Sequence, residues 1–585
     1  MSYKISRREL IQKSLASFGA LSVPVALTAC GGDKDLKILP STSAEFLHGV
    51  ASGDPLKDRV ILWTRLTPKN LAARLEVVWE ISEDLNFAHL VNSGKVQTTQ
   101  VRDFTIKVDA DKLRSGRTYY YRFRYGDKVS ATGQTKTLAE SADSVKFAVC
   151  SCSNYPAGYF HVYREMARQD LDVIIHLGDY IYEYGQGGYA TEEAKRLGRE
   201  LPADNNKEAI KLDDYRKRYA LYRSDLDLQA AHHRHPFIVI WDDHELANDA
   251  WKAGAENHQA NEGDFEARKL AALQAYFEWM PIRPTARDNF LNIYRQFNFG
   301  DLVQLIMLDT RILARDQQLS YTQYVTPQGI DLTRFKQDLD HPSRTIMGHA
   351  QRQWLQDQLI QSSAIWNVIG QQVLMAKMLI PVELLPALVS VNSGDINDEK
   401  INKMAQQVND LVTLKVRIGL GDATVTEQEK ARLTTVVPYN LDAWDGYAAE
   451  RDAIFETLKS QKKKAVILAG DTHNAWSSQL YTQDKTQVGV ELACSSVTSP
   501  GLEKYLNMSL EQIEKFEYAF TTLIDELKYC NLNQRGYLLL NFTDKQLLSN
   551  WIFVDTVKAK QYNLIDGPRA NRLVLNTELV SPNAM

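Results

Sequence analysis

Three short segments of this chain place chemically active side chains directly after apolar runs. They are LDVIIHLGDYIYE at 171–183, FIVIWDDHELAND at 237–249 and AVILAGDTHNAW at 465–476. A strand that is buried on both faces reads as a continuous apolar run, and the polar residues after it lie at the carboxyl edge of its sheet, where α/β proteins bind ligands. We therefore predict that the three strand ends build one metal site.

The first two segments offer mainly oxygen ligands. Asp179 can bridge two cations through its two carboxylate oxygens, and Tyr182 can turn back toward the same centre as a phenolate. Taken alone, this segment is equally consistent with a strand-end turn that carries a buried tyrosine. The run 242–245, Asp-Asp-His-Glu, is followed by Asn248. Packing explains adjacent carboxylates at the edge of a core poorly, because an unpaired buried charge is costly.

The third segment and a cysteine pair supply softer ligands. Alternation along the chain places Asp471 and His473 on one side, so both can face the same ions. Cys150 and Cys152 share a strand face but point in parallel directions, which makes a mutual disulfide awkward. One of them is free to act as a thiolate ligand, and the alternative for either is a small buried apolar residue.

The elements that position these residues change character along the chain. From Val145 onward, apolar strands alternate with amphipathic helices, which is typical of a layered α/β domain. In the region before Val145, turn residues separate strands in which apolar and polar residues alternate. This pattern predicts a small, fibronectin III-like all-β sandwich. The segment at about 378–440 is more helical and polar and is predicted to be an insertion, either a lid or a surface decoration. The predicted organisation is a signal at 1–30, a linker at 31–43, the sandwich at 44–140 and the catalytic domain at 141–585.

The N-terminus reads as an export signal. A twin-arginine pattern at 6–11 precedes a mildly apolar stretch that ends in Leu-Thr-Ala-Cys-Gly, which resembles a bacterial lipobox with Cys30 as the lipidated residue. We expect export by the twin-arginine machinery and a lipid anchor at Cys30 in a periplasmic or cell-surface protein. Gly31 after the cysteine favours the outer membrane. The alternative is an uncleaved tail with a chance arginine pair.

Composition narrows the function classes. The chain has 585 residues, 44% hydrophobic and 24% charged, with a formal net charge of −5. Lysine and arginine are spread along the sequence rather than gathered in a stripe, so no nucleic-acid binding site is expected. Four cysteines besides Cys30 are too few for a disulfide framework in a protein of this length. We expect a monomer.

Further motifs identify a family resemblance. They span about residues 45–555 and read SCSNY, GDYIYEY, WDDHELAND, QAYFEWMPIR, LDTR, MGHAQRQWL, WNVIGQQVLMA, AWDGY and GDTHNAW. In this order they resemble the PhoD-type alkaline phosphatases, and GVASGDPLKDRVILWTRLTP is similar to the N-terminal sandwich of that family. Other calcineurin-like metallophosphoesterases share only the general GD…H layout. The resemblance implies a metallophosphoesterase sandwich with αββα layers.

The resemblance also implies a centre of ferric iron with one or two calcium ions. The ligands it implies for iron are Cys152, Asp179, Tyr182 and His473, with Asp179 bridging to calcium, and those for the calcium side are Asp471, Asn248 and Asp243. Thiolate, phenolate and imidazole suit iron, whereas carboxylate and amide oxygens suit calcium. Whether Asp243 or Asn248 binds the metal directly stays open.

Three classes of function follow. The expected one is an extracytoplasmic alkaline phosphatase in which a metal-activated hydroxide attacks phosphate monoesters, and also diesters. The alternative is a phosphodiesterase, or phospholipase D-like enzyme, for phospholipid or teichoic-acid-type diesters. Intact ligands at all three strand ends argue against a third class, a non-enzymatic metal-binding lipoprotein.

Three further residues are expected to act on the substrate. His244 is expected to donate a proton to the leaving alkoxide or to orient substrate, and its alternative is to orient a metal ligand. Arg268 and Arg311 are candidates for phosphate oxygens, with ion pairing as the alternative for each.

Overall fold

The described part of the chain begins after the predicted export signal. The computed structural model describes residues 43–70, 74–284, 291–392, 397–506, 508–566, 569 and 572–579. The twin-arginine pattern and the predicted lipidation site Cys30 lie outside these residues. Of the helices in the described ranges, none combines the length and the hydropathy needed to cross a membrane.

Two large mixed sheets face each other. In spatial order, the strands of the first sheet are Arg572–Asn576, Gln546–Val554, Arg535–Thr543, Ser144–Cys150, Val173–His176, Phe237–Val239, Val50–Gly53, Val60–Arg65 and Thr105–Ala110. Those of the second are Arg295–Phe299, Val303–Met307, Trp366–Gly370, Ala465–Ala469, Gln487–Ala493, Ala475–Tyr481 and Leu527–Asn531. The central strands of each sheet are parallel and the outer ones antiparallel. The carboxyl ends of the central strands therefore gather at one edge of each sheet.

Alternation along the strands sorts side chains between two cores. In Ala465–Ala469, Val466 and Leu468 belong to the core that also holds Ile174 of the first sheet. Ile467, which points the other way, packs in the core with Phe455 of a covering helix. A strand buried on both faces must be apolar throughout, which explains the continuous apolar runs in the sequence.

Helices cover the outer faces of the sheets, and further helices lie within the insertion. They are His161–Arg168, Ala194–Leu197, Leu212–Arg223, Leu226–Arg234, Phe265–Trp279, Leu332–Leu339, Gly348–Gln361, Leu385–Asn392, Asp398–Gly419, Glu427–Thr434, Ala448–Ser460, Leu502–Tyr505 and Leu510–Leu523. Local capping sets several of their starts. The Asp264 carboxylate, for example, accepts a hydrogen bond from the Ala267 N–H at the start of Phe265–Trp279.

The N-terminal β region shares a sheet with the rest of the chain. One of its sheets is separate and consists of Gly133–Lys136, Thr118–Tyr125, Leu75–Ser82 and Leu90–Thr98, with Lys128–Val129 at its margin. The other consists of three strands of the first large sheet, because Gly53 pairs with Phe237. The two sheets enclose a core of their own. The region is therefore joined to the central sheet by an edge, and its fibronectin III-like description stays a prediction.

The segment predicted as an insertion forms a closed unit beside the second sheet. Leu379–Pro381 pairs with Val436–Pro438 at its base, and its helices lie between these strands in sequence. The Lys415 ammonium donates to the Leu523 carbonyl oxygen at 2.9 Å, which ties helix Asp398–Gly419 to helix Leu510–Leu523.

Candidate metal centre

The ends of the three predicted strands meet at one place. The Cys152 N–H donates to the Gly178 carbonyl oxygen at 3.1 Å, which joins the loops after two neighbouring strands. Gly178 has a φ of 110°, and a Cβ added there would lie 2.3 Å from the Asp242 Cβ. Only glycine permits this approach, so the Gly-Asp dipeptide brings the first two segments into contact.

Left-handed backbone concentrates at these strand ends. The non-glycine residues with positive φ there are Cys152 (61°), Asp179 (55°), Asp249 (52°), Asp471 (62°) and His473 (60°). This conformation is unfavourable for residues with a Cβ, and such strain clusters where a site needs side chains in special directions. The loops hold side chains toward one centre at some cost in backbone energy.

The first group of potential ligands contains the soft donors. One ligand atom each from Cys152, Asp179 and His473 lies within 4.8 Å of the others. The Tyr182 hydroxyl is 3.0 Å from Asp179 Oδ2 and 3.1 Å from His473 Nε2. His473 Nδ1 is 2.8 Å from the Pro500 carbonyl oxygen. A carbonyl can only accept, so Nδ1 carries the proton and Nε2 offers its lone pair to the group.

Two further groups continue from the first, each sharing one residue with the group before it. Asp179, Asp243 and His244 form one, and Asp242, Asp243 and Asp471 form the other, again with ligand atoms within 4.8 Å. Asp179 belongs to the first and second groups, and Asp243 to the second and third. This overlap is the arrangement that a bridging carboxylate between two neighbouring cations requires.

Asp243 and Asn248 differ in how their polar groups are used. The Asp243 carboxylate accepts from the N–H groups of His244 at 3.1 Å and Asp249 at 2.6 Å. The Asn248 side-chain amide donates to Glu256 at 3.2 Å. Both residues line the same cavity. Direct coordination by either stays a prediction.

The buried carboxylates at the centre are short of compensating positive charge. Burial raises the pKa values of Asp179 and Asp242 well above the ordinary carboxyl range, and the pKa of Asp471 to about 6. Within the described residues, Asp179 Oδ1 and Asp242 Oδ2 are buried without a hydrogen-bond partner. Buried oxygens without donors are costly unless a cation meets them. A metal fits this place.

The thiol and the phenol at the centre support the same conclusion. Burial raises the pKa of the Cys152 thiol and of the Tyr182 phenol, and the Asp179 charge raises both further. A thiolate or phenolate in this position therefore needs a metal to hold it. Thiol, phenol and imidazole lie on one side of the centre and carboxylates on the other, so the site offers two different sets of metal ligands.

The structure gives Arg311 a different role from the predicted phosphate contact. Its side chain is fully buried. The guanidinium lies 2.8 Å from Asp471 and 2.7 Å from Asp442, and it also donates to Asp242. Since each of its nitrogens faces a carboxylate, Arg311 balances the charge of the acidic cluster instead of facing substrate.

Arg268 also lies apart from the predicted contact. Its guanidinium donates to the Tyr215 hydroxyl at 3.0 Å, the Asn257 carbonyl at 2.8 Å and Glu208 at 2.8 Å. In the described part of the chain it is not among the residues that line the cavity. Protein acceptors occupy its donors, so Arg268 holds the loop around Asn257 in place.

The structure gives a role to two glutamates for which the sequence predicted none. Glu183 Oε2 lies 2.7 Å from His244 Nδ1, and its other oxygen accepts the Asn248 N–H at 2.8 Å. Glu245 accepts the N–H groups of Asp179 at 3.0 Å and Asp242 at 2.7 Å. Both occur inside the quoted segments, where an acid after an apolar run was the available signal.

Charge around His244 favours its protonated form. Burial lowers the pKa of the imidazole, but Asp179, Glu183 and Asp243 together raise it well above the ordinary value. The ring lies beside Tyr182, with centroids 4.2 Å apart, and it lines the cavity. An imidazolium held this way can donate a proton into the cavity.

The centre forms one end of a cavity of about 800 Å³. Its polar end is lined by residues of the ligand groups, namely Asp179, Asp243, His244, Asp471 and His473, and by Asn248. Its other end is lined mainly by apolar side chains of the insertion and of the segment 502–523. This volume is typical of small-molecule sites.

Comparisons with known proteins agree along the chain. The family model described as "PhoD-like phosphatase" matches residues 147–551, and the model of the "PhoD-like phosphatase, N-terminal domain" matches residues 34–139. Alkaline phosphatase D of Bacillus subtilis (strain 168) is 34% identical over 512 residues, which cover 85% of this chain and 76% of that protein.

A solved structure agrees as well. The structure of PhoD superposes with a TM-score of 0.71 at 29% sequence identity, and the match covers 92% of each chain. These matches confirm the resemblance carried by the motifs. The chain belongs to the PhoD-like phosphatase family.

Proposed function

We propose that this PhoD-like phosphatase hydrolyses phosphate monoesters outside the cytoplasm at a centre of ferric iron and calcium. The observation that carries the proposal is the set of overlapping ligand groups around Asp179 at the polar end of the cavity. Cys152, Tyr182 and His473 would hold iron, Asp179 would bridge, and Asp471 with Asp243 or Asn248 would hold calcium. When bound, such cations supply Lewis acidity toward phosphate oxygens and lower the pKa of water.

The chain's own residues divide the remaining work. Glu183 holds His244 Nδ1, so the other ring nitrogen, Nε2, carries the proton that passes to the leaving alkoxide. Arg311 offsets the charge of Asp242 and Asp471 and keeps this acidic cluster together between turnovers. Glu245 fixes the two turns that present Asp179 and Asp242 through backbone N–H groups.

Diester hydrolysis is the second candidate. The cavity extends well beyond the ligand groups, so a second ester group on phosphorus has room. Turnover of mono- and bis-(p-nitrophenyl) phosphate by the metal-loaded protein at alkaline pH ranks the two activities. We expect the monoester to be the better substrate; a higher kcat/KM for the diester would reverse the assignment.

Metal identity has its own test. Elemental analysis of the purified protein should find iron and calcium. A visible tyrosinate-to-iron charge-transfer band is expected, which Tyr182→Phe should abolish. A colourless, fully active, zinc-loaded protein would overturn the proposed centre.

The location is proposed from the N-terminal sequence alone. The twin-arginine pattern and the lipobox-like run before Cys30 support export and a lipid anchor. Fatty-acid labelling in cells should disappear in Cys30→Ala, and labelling that persists would reject the anchor.

A further inference from the structure

The cavity has an apolar end whose chemistry differs from that of the metal centre. We call it the apolar arm and define it by Leu384, Leu388, Met404, Val408, Phe516 and Phe520. We propose that the apolar arm binds an unbranched alkyl chain carried on the alcohol side of the phosphate ester. The inference rests on the proposed phosphatase function and specifies its substrate class.

The arm is built by two separate parts of the chain. Helices Leu385–Asn392 and Asp398–Gly419 of the insertion supply Leu388, Met404 and Val408, whose side chains are partly buried against the second core. Helix Leu510–Leu523 supplies the facing phenylalanines. The apolar atoms that these helices leave uncovered face the cavity, so an apolar ligand would remove them from water.

An aromatic contact joins the arm directly to the metal centre. The Trp476 indole N–H donates to the Thr472 hydroxyl at 2.8 Å, and Thr472 stands between Asp471 and His473 in sequence. The Trp476 ring contacts Phe520 of the arm, with centroids 6.0 Å apart and a T-shaped geometry. The arm therefore adjoins the strand end that carries Asp471 and His473, within reach of a group attached to a phosphate at the centre.

Polar contacts hold the arm in its present shape. Lys415 donates to the Leu523 carbonyl and pairs with Asp525 at 2.6 Å, which links the two helical walls. Arg432 pairs with Glu383 at 2.7 Å on the other side of the insertion. A preformed wall loses little conformational entropy on binding, which favours affinity.

The donor inventory of the arm selects its ligand. The six defining side chains carry no nitrogen or oxygen, so sugar hydroxyls or base edges placed against them would lose water without new partners. Tyr439, whose ring lies 6.1 Å from that of Phe520, is a polar side chain of the cavity beside the arm. An alkyl chain has no hydrogen bonds to water to lose there and gains burial. Met404 is flexible enough to adapt to a linear chain.

A chain-length series tests the arm. Ethyl, butyl, octyl and dodecyl phosphate differ little in leaving-group chemistry and can be used below their aggregation limits, with release of inorganic phosphate as readout. Burial of each added methylene should raise kcat/KM by about fourfold until the arm is full. Equal kcat/KM values from butyl to dodecyl would overturn the inference.

Charged variants locate the effect. The ratio of kcat/KM for octyl phosphate to that for ethyl phosphate cancels any general loss of activity. It should fall by roughly tenfold or more in Leu388→Asp and in Val408→Asp. Leu420→Asp is the matched control, because Leu420 lies on the same insertion but is 82% exposed. Its ratio should equal that of the unchanged protein, and equal ratios in all variants would remove the arm from the explanation.

A binding measurement separates this inference from the proposed function. Calorimetry of octylphosphonate and ethylphosphonate with the metal-loaded protein should show tighter binding of the longer chain. Absent p-nitrophenyl phosphate turnover with chain-dependent binding would defeat the proposed function and uphold the arm. Turnover with chain-independent binding would do the reverse.

Discussion

Two Gly-Asp dipeptides, at 53–54 and 178–179, occupy almost the same local setting. Each follows a buried strand, each aspartate is 1% exposed, and φ is 43° at Asp54 and 55° at Asp179. An added Cβ at Gly53 would lie 2.2 Å from the Pro281 carbonyl oxygen, as close as the clash at Gly178. The two aspartates are therefore alike in φ and in burial, while the glycines before them differ, because only Gly178 has a positive φ.

Their partners separate them. Asp54 accepts from the Arg295 guanidinium at 2.8 and 3.1 Å and from the Arg283 N–H at 2.8 Å. Among the described residues, Asp179 accepts one side-chain hydrogen bond, from Tyr182. It lies near the His244 imidazole and near Asp243 and other carboxylates instead of a guanidinium. A buried carboxylate that the protein satisfies is structural, whereas one that the protein leaves short of donors is a candidate metal ligand.

The largest effect is expected at Asp179. Asp179→Asn should lower p-nitrophenyl phosphate turnover on the order of 10³-fold, because it removes the charge that would bridge the two proposed cations. A chelator should lower the melting temperature of the unchanged protein but not that of the variant, since metal binding stabilises only a site that can hold it. Turnover within tenfold of the unchanged protein would make Asp179 equivalent to Asp54.

Asp54 should show the opposite behaviour. Asp54→Asn leaves Arg295 buried without its counter-charge, which should cost about 3–5 kcal/mol in the free energy of unfolding. Turnover per folded molecule should stay unchanged. Asp58→Asn is the matched control, because the Asp58–Arg59 pair is exposed and should contribute less than about 1 kcal/mol. Chemical unfolding measures the loss of stability, and titration of the metal in the active site shows whether the site is intact. A loss of metal in Asp54→Asn would contradict the difference from Asp179.

Glu183 combines features of the two aspartates. Protein donors satisfy its carboxylate, as they do at Asp54, but it adjoins the proposed metal centre, as Asp179 does. Glu183→Gln should lower kcat by about 10–100-fold, with a larger loss for alkyl phosphates than for p-nitrophenyl phosphate, because only a poor leaving group needs the proton of His244. Glu208→Gln, which alters the contact with Arg268, should leave the dependence on leaving group unchanged. Equal losses for both substrates would assign Glu183 to orientation alone.

Much of the site could be predicted from local sequence. Continuous apolar runs identified strands buried on both faces, and the polar residues that end them meet as predicted. The family motif favoured Cys152 over Cys150. In the structure Cys152 joins a ligand group, while Cys150 packs in the core between the sheets. Strand pattern and residue chemistry were sufficient there because both act over a few residues.

Arginine roles could not be read in this way. Arg311 and Arg268 were equally plausible phosphate contacts by residue type, but their acceptors include carboxylates 60 to 160 residues away in the chain. The same limit hid the edge contact between Gly53 and Phe237 and the apolar arm, which combines residues 384–408 with residues 516–520.

The sequence by itself therefore determined which strands are buried, where they end and which ligand types stand at those ends, since strand burial and ligand chemistry are local properties. Only the tertiary structure decided which of the buried acids are left without donors, which arginines are already engaged and what surrounds the substrate beyond the phosphate. These depend on the supply of partners from distant segments, and that supply exists only once the two sheets have packed.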